Sequence, residues 1–170
     1  MNDIKFEVQL ADITTLDVDV IVNAANRFMR GGSGVDGAIH VAAGPQLLEY
    51  TWQFGECETG DVRVSPGFDL RAKNIIHAVG PIWRGGDDQE EILLRSCYTK
   101  SIEEAVALGA RSIAFPAIST GVYGYPKLAA AKVAASAIKD AQAVESGNLQ
   151  RIMVAAFGFE DYEILSEAVL

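Results

Sequence analysis

The chain has 170 residues, 49% of them apolar, with 23 acidic against 14 basic side chains and a net charge of −9. That is the length of one domain, with enough apolar residues to cover both faces of a sheet. The acidic balance excludes broad nucleic-acid binding, which needs Lys and Arg to neutralise phosphates, but leaves room for a small anion held by backbone N–H groups.

The opening MNDIKFEVQLADI alternates and carries charge, so neither a leader peptide nor a membrane span is expected. Residues 4–10 (IKFEVQL) alternate apolar and polar like a half-buried strand, and VDVIVN (18–23) is a β-branched run like a buried one. A loop rich in Asn and Gly follows, NAANRFMRGGSGVDGAIH (23–40), whose residue types let a backbone approach a ligand closely. VDGAIHVAAG (35–44) reads as a short helix ended by Gly44 and Pro45. DVRVSP (61–66) alternates again, and KNIIHAVG (73–80) is another buried strand.

From about 88 to 108 the spacing predicts a helix, with Ile92, Leu93, Ser96, Cys97, Lys100, Ile102 and Ala105 at helical intervals, acidic residues in the first turn and Gly109 as the stop. RSIAFPAI (111–118) is a strand, followed by the loop STGVYG. Pro126 then opens an alanine-rich helix to about 142, since proline costs nothing in a first turn. RIMVAAF (151–157) is a last buried strand and DYEILSEAVL a last helix. This alternation predicts one α/β domain over residues 1–170, a three-layer α/β/α sandwich around a mixed, mostly parallel sheet. In such folds ligands sit at the carboxyl ends of the strands.

Cys57, Cys97, His40 and His77 lack metal-ligand spacing, so neither a metal nor a cofactor is expected. Two isolated cysteines fit a reducing, cytoplasmic setting. Neither sits at a helix N-terminus or in a basic cluster that would favour a thiolate, which argues against a Cys–His nucleophile. Two glycine-bearing loops lie at the ligand edge of the predicted sheet. Gly32-Ser33-Gly34-Val35-Asp36-Gly37 matches G-x-G-x-x-G but does not directly follow its strand, and no acidic-ended strand comes about 20 residues on, so a dinucleotide fold is not supported. Ser119–Gly124 leads into a helix N-terminus, where N–H groups and the dipole favour an anion. Facing one crevice, the two loops would grip a pyrophosphate from both sides.

The chain resembles the macrodomain family, in particular its MacroD-type branch, which hydrolyses ADP-ribose esters. The resemblance rests on ADI near residue 12, VDVIVNAAN (18–26), GGSGVDGAIHVAAG (31–44), CETGDV (57–62), IIHAVGPIW (75–83) and FPAISTGVYGYP (115–126), in this order and spacing. It implies ADP-ribose as the ligand. Asp12 and Ile13 would select adenine, with Phe157 stacking on it. The backbones of Gly31, Gly32, Ser33, Gly34 and Val35, and of Ser119, Thr120, Gly121, Val122, Tyr123 and Gly124, would bind the pyrophosphate. Tyr123 would pack on the distal ribose and Val122 cover the phosphates. Asn23 and Ala25 complete the ligand loop, Asn23 by bonding its own backbone.

The resemblance assigns catalysis to Asn26, which would orient the distal ribose, and Asp36, which would accept a proton from water or orient a water activated by a substrate phosphate. His40, four residues on and on the same helix face, would steady Asp36. His77 reads as a structural strand residue beneath the site. Ser33 departs from the glycine usual in the family; if the position needs positive φ, serine adds strain of order 1 kcal/mol. Arg27 and Arg30 face either the ligand phosphates, a protein substrate or solvent.

The expected activity is ester hydrolysis at the distal ribose, on O-acetyl-ADP-ribose or on mono-ADP-ribosylated acidic side chains of proteins. Rival readings are a non-catalytic ADP-ribose reader and an ADP-ribose 1″-phosphate phosphatase. No nucleic-acid or membrane partner is expected.

Overall fold

The computed structural model describes residues 3–144 and 147–170. Its elements in chain order are β1 (Lys5–Leu10), a 3₁₀ turn (Ile13–Thr15), β2 (Val20–Ala25), α1 (Gly34–Ala43), α2 (Gln46–Trp52), β3 (Val62–Pro66), β4 (Asn74–Val79), α3 (Glu90–Ala107), β5 (Ser112–Phe115), α4 (Lys127–Val144), β6 (Arg151–Ala156) and α5 (Phe159–Val169). The strands form one six-stranded sheet in the order β1-β6-β5-β2-β4-β3. All neighbours are parallel except β3, which runs antiparallel to β4 at one edge. The expected mixed, mostly parallel sheet is therefore present.

The period-2 alternation of the strands sorts the core into two layers. Val20, Val22, Ile76 and Ala78 point to the face covered by α3, α4 and α5, where Leu94, Tyr98, Ile138 and Leu165 meet them. Ile21, Ile75, Ala114 and Met153 point to the opposite face, against Ile39, Ala43 and Leu47 of α1 and α2. Asn23 and His77 share the parity of Ile21 and Ile75, so two polar side chains are aimed at the underside of α1.

The helix expected to stop at Gly44 does so, but a second helix that was not anticipated follows at once. Gly44, at φ +88°, breaks α1, and Pro45 then sits at φ −66° and ψ −19°, which prepares α2 rather than preventing it. The buried stripe of α3 is also shifted. Leu94, Cys97, Tyr98, Ser101, Ile102 and Ala105 face the core, while Ile92 is 67% exposed and Lys100 lies in solvent. At the first residue of that helix, the buried Glu90 carboxylate accepts N–H bonds from Arg84 (2.9 Å), Gly86 (2.8 Å) and Asp88 (2.6 Å), closing the loop that enters it. Among the described residues no helix is long and apolar enough to cross a membrane.

Candidate active site

Parallel strands that all end at one edge leave their carboxyl-terminal loops around a common crevice. Here β2, β5 and β6 open onto a cleft of about 590 Å³. Gly32–Asp36 and Ser119–Tyr123 border the same cleft, so the two glycine-bearing loops face each other across it.

One end is formed by Asp12, Ile13 and Phe157. Asp12 Oδ1 accepts from Thr14 N (3.0 Å) and Thr14 Oγ1 (2.7 Å), which starts the 3₁₀ turn and fixes the carboxylate. Phe157 follows the last residue of β6 and is 87% exposed, its ring free to meet a flat ligand.

The middle is made of backbone. The first N–H groups of α1 lack helical partners by geometry, and those of Gly121, Val122 and Tyr123 make no hydrogen bond among the described residues. The second loop keeps its shape through its other groups: Tyr125 N donates to Ser119 O (2.9 Å), Gly124 N to Gly121 O (3.0 Å) and Thr120 Oγ1 to Ala117 O (2.7 Å). Two facing sets of open donors form a concave site for an anion.

The other end carries Asp36 and Asn26. Asp36 is buried in the first turn of α1. Its Oδ1 accepts from Asn23 Nδ2 (2.8 Å) and lies 3.4 Å from His40 Nε2. Its Oδ2 lies on the side of Gly32, where a Cβ would stand 3.2 Å from it and 3.5 Å from Asn26 Nδ2. The absent side chain of Gly32 thus leaves the space between the carboxylate and the Asn26 amide. Asn26 Nδ2 donates to Gly31 O (2.8 Å) and Oδ1 accepts from Phe28 N (3.0 Å), so its own loop holds the amide in place and leaves one N–H. Burial, reinforced by the Asp36 charge, raises the Tyr123 phenol above its ordinary value.

Asp12, Ile13, Ala25, Asn26, Gly32, Ser33, Gly34, Val35, Asp36, Ser119, Thr120, Gly121, Val122, Tyr123 and Phe157 all line the cleft. Asn23, Gly31, His40 and Gly124 do not. Asn23 is fully buried and bonds Asp36 and His77 rather than its own backbone, because its position in β2 points it beneath α1. Gly31 takes φ +79° with its Cα side against the His40 ring, and Gly124, at φ +72°, turns the chain back. Ser33 sits at φ −100°, ordinary extended backbone, so the serine carries no left-handed strain. That conformation falls instead on Met29 (φ 57°) and Ser119 (φ 68°). Arg27 pairs with Glu56 at 3.6 Å and Arg30 stacks over Trp52 at 4.1 Å; neither borders the cleft. Cys57 and Cys97 are buried, and burial pushes the Cys97 thiol up to about 12.

Gly80 and Asp161 also line the cleft and were not anticipated. Gly80 had a local signal, a glycine directly after the run IIHAV. A Cβ there would fall 2.2 Å from Ser119 Oγ and 2.6 Å from Ile118, so only glycine lets that loop settle.

A family model described as the Macro domain matches residues 22–134. A macro domain-containing protein of Chlorobaculum tepidum is 46% identical over 94% of this chain and 92% of its own length. An O-acetyl-ADP-ribose deacetylase of Cronobacter turicensis is 54% identical over 80% of each chain. Among solved structures, an Oceanobacillus iheyensis macrodomain with ADP superposes with a TM-score of 0.94 at 42% identity, covering 99% of this chain and 91% of that one. A Trypanosoma brucei macrodomain in complex with ADP-ribose gives 0.89 at 38% identity, covering 96% and 68%.

Proposed function

This chain belongs to the macro domain family, and from that premise we propose that it binds ADP-ribose in the cleft and hydrolyses esters at the distal ribose. The substrates are O-acetyl-ADP-ribose and proteins carrying ADP-ribose on acidic side chains. Both present the same bond, an acyl group on a ribose oxygen. The setting we assign is the cytoplasm, where buried thiols such as Cys57 and Cys97 stay reduced.

The observation that carries this reading is the convergence of both open-amide loops with Asp36 and Asn26 on a single cleft. The diphosphate lies between Gly32–Val35 and Gly121–Tyr123, the adenine against Phe157 and Asp12, and the distal sugar beside Gly32. There the free N–H of Asn26 holds a ribose hydroxyl, while Asp36 Oδ2 accepts a proton from water. Water adds to the ester carbonyl carbon, the acyl–oxygen bond breaks, and the ribose oxygen leaves as a hydroxyl by taking back the proton that Asp36 accepted, while the carboxylic acid formed ionises to solvent. The products are a carboxylate, here acetate, and ADP-ribose. Fixing water and sugar in one geometry supplies most of the gain, with proton acceptance adding about 10²–10⁴-fold.

The test is acetate release from O-acetyl-ADP-ribose by the wild type and by Asp36→Ala, with ADP-ribose affinity measured calorimetrically on both. The expected result is a large loss of turnover in the variant with affinity retained. Equal, negligible turnover in both with tight ADP-ribose binding would make the protein a reader instead.

A further inference from the structure

Beneath the carboxylate lies a chain of buried groups that the proposed reaction does not use. Asn23 and His77 are register partners on the adjacent parallel strands β2 and β4, both facing α1. Asn23 spends both N–H groups: Nδ2 donates to Asp36 Oδ1 (2.8 Å) and lies 3.1 Å from His77 Nδ1. Its carbonyl oxygen is buried without a hydrogen-bond partner among the described residues. On the far side of the ring, His77 Nε2 lies 2.8 Å from Ser65 Oγ, whose own proton goes to Pro66 O (3.1 Å). His77 and Ser65 are each 1% exposed and Asn23 is 0% exposed.

The directions of these bonds follow from the ends inward. Ser65 has given its proton to a carbonyl, so it accepts from Nε2–H. His77 is then bare at Nδ1, which accepts from Asn23. With one amide N–H committed there, the other points at Asp36, and the carbonyl oxygen is turned away into a place where nothing pairs with it. An amide flipped the other way would set oxygen against the Asp36 carboxylate. Leaving that oxygen unpaired is unfavourable, and it is tolerated because both donors are held.

We propose that His77, as the neutral Nε2–H tautomer seated on Ser65, is a positioning residue: it sets the Asn23 amide so that Asp36 Oδ1 is anchored and Oδ2 faces the cleft. This rests on the hydrolase reading for its kinetic consequence but not for its structural one. The sequence expectation that His77 is structural is refined, because the ring reaches the reacting carboxylate through one amide.

Three variants test it. His77→Phe keeps the bulk and removes both ring nitrogens. His77→Asn restores an acceptor near the place of Nδ1. Ser65→Ala removes the group that fixes the tautomer. For acetate release from O-acetyl-ADP-ribose, His77→Phe is expected to lower kcat about tenfold to a hundredfold with KM within about twofold, and Ser65→Ala by a smaller factor. His77→Asn should recover most of the loss. If His77 only supports the fold, His77→Phe and His77→Asn will lose thermal stability alike, with kcat per folded molecule unchanged, and the proposal falls. Nitrogen-15 NMR of the wild-type ring reads the tautomer directly, with Nε2 protonated and Nδ1 bare expected; a protonated Nδ1 overturns it. Crystal structures of His77→Phe and the wild type complete the set, with a rotated Asp36 carboxylate expected and an unmoved one counting against. Should wild type release no acetate, the hydrolase reading fails, while tautomer and rotamer still decide this inference.

Discussion

The two ends of the cleft are built on opposite plans. At the Phe157 end the chain offers an exposed ring and a carboxylate capped by its own turn, each standing independently on a strand or turn terminus. At the Asp36 end the buried polar side chains hold one another, Asp36 by Asn23, Asn23 by His77 and His77 by Ser65, while Asn26 is held by the backbone of its own loop. Binding a flat base needs area, which tolerates small displacements. Moving a proton needs a fixed distance, which does not. A substitution at the first end should subtract one contact, whereas one at the second end should propagate.

Asn23→Asp should break this contrast most severely. It replaces the donor to Asp36 with a second buried carboxylate, and such an uncompensated charge costs about 3–5 kcal/mol. Thermal melting should show a large destabilisation, and acetate release from the remaining folded protein should be lost.

Acid comes next. Burial, partly opposed by the Asp36 charge and assisted by His40, lowers the pKa of His77 from 6.5 to about 4. Between these values the unfolded chain takes up a proton that the folded protein refuses, so stability falls as pH drops from 6.5 towards 4 and is unaffected by this group above 6.5. The loss amounts to about 3 kcal/mol. Melting temperatures across that window should slope for the wild type and flatten in His77→Phe.

Phe157→Ala tests the open end. Losing a stacking ring should weaken ADP-ribose binding by about 1–2 kcal/mol, roughly fivefold to thirtyfold, with kcat and melting temperature unchanged. A fall in kcat would show that the two ends are coupled after all. The smallest effect is expected for Ser33→Gly. The residue is exposed at φ −100°, so the change should stay within about 0.5 kcal/mol in stability and about twofold in turnover.

The same contrast explains what the sequence disclosed. Features carried by local pattern were legible: the buried strands, the helix opened by Pro126, the glycine loops at the ligand edge. At the open end, Asp12 and Phe157 were named through the family resemblance rather than by local pattern, and both border the cleft. At the closed end the resemblance named Asn26, Asp36 and His40, but the buried network beneath Asp36 was not legible. Asn23, His77 and Ser65 come from three strands, and their meeting depends on β3 folding back antiparallel onto β4 and on the parallel register of β2 with β4. Nothing local encodes either. The reading of Asn23 as a residue bonding its own backbone failed for this reason. For Ser33 the condition of a positive φ is not met. The loop does contain left-handed residues, but which position takes up the turn depends on packing, and the buried Met29 takes one share of it, against Cys57 and Val79.

The exposed rim has a thermodynamic consequence. Phe157 and Val122 keep 87% and 90% of their surface in water. A nucleotide laid against one and under the other withdraws that apolar area from solvent, so the heat capacity of the system should drop on association. Titrations at successive temperatures should then grow steadily more exothermic, and trimming the ring at 157 should make that trend shallower.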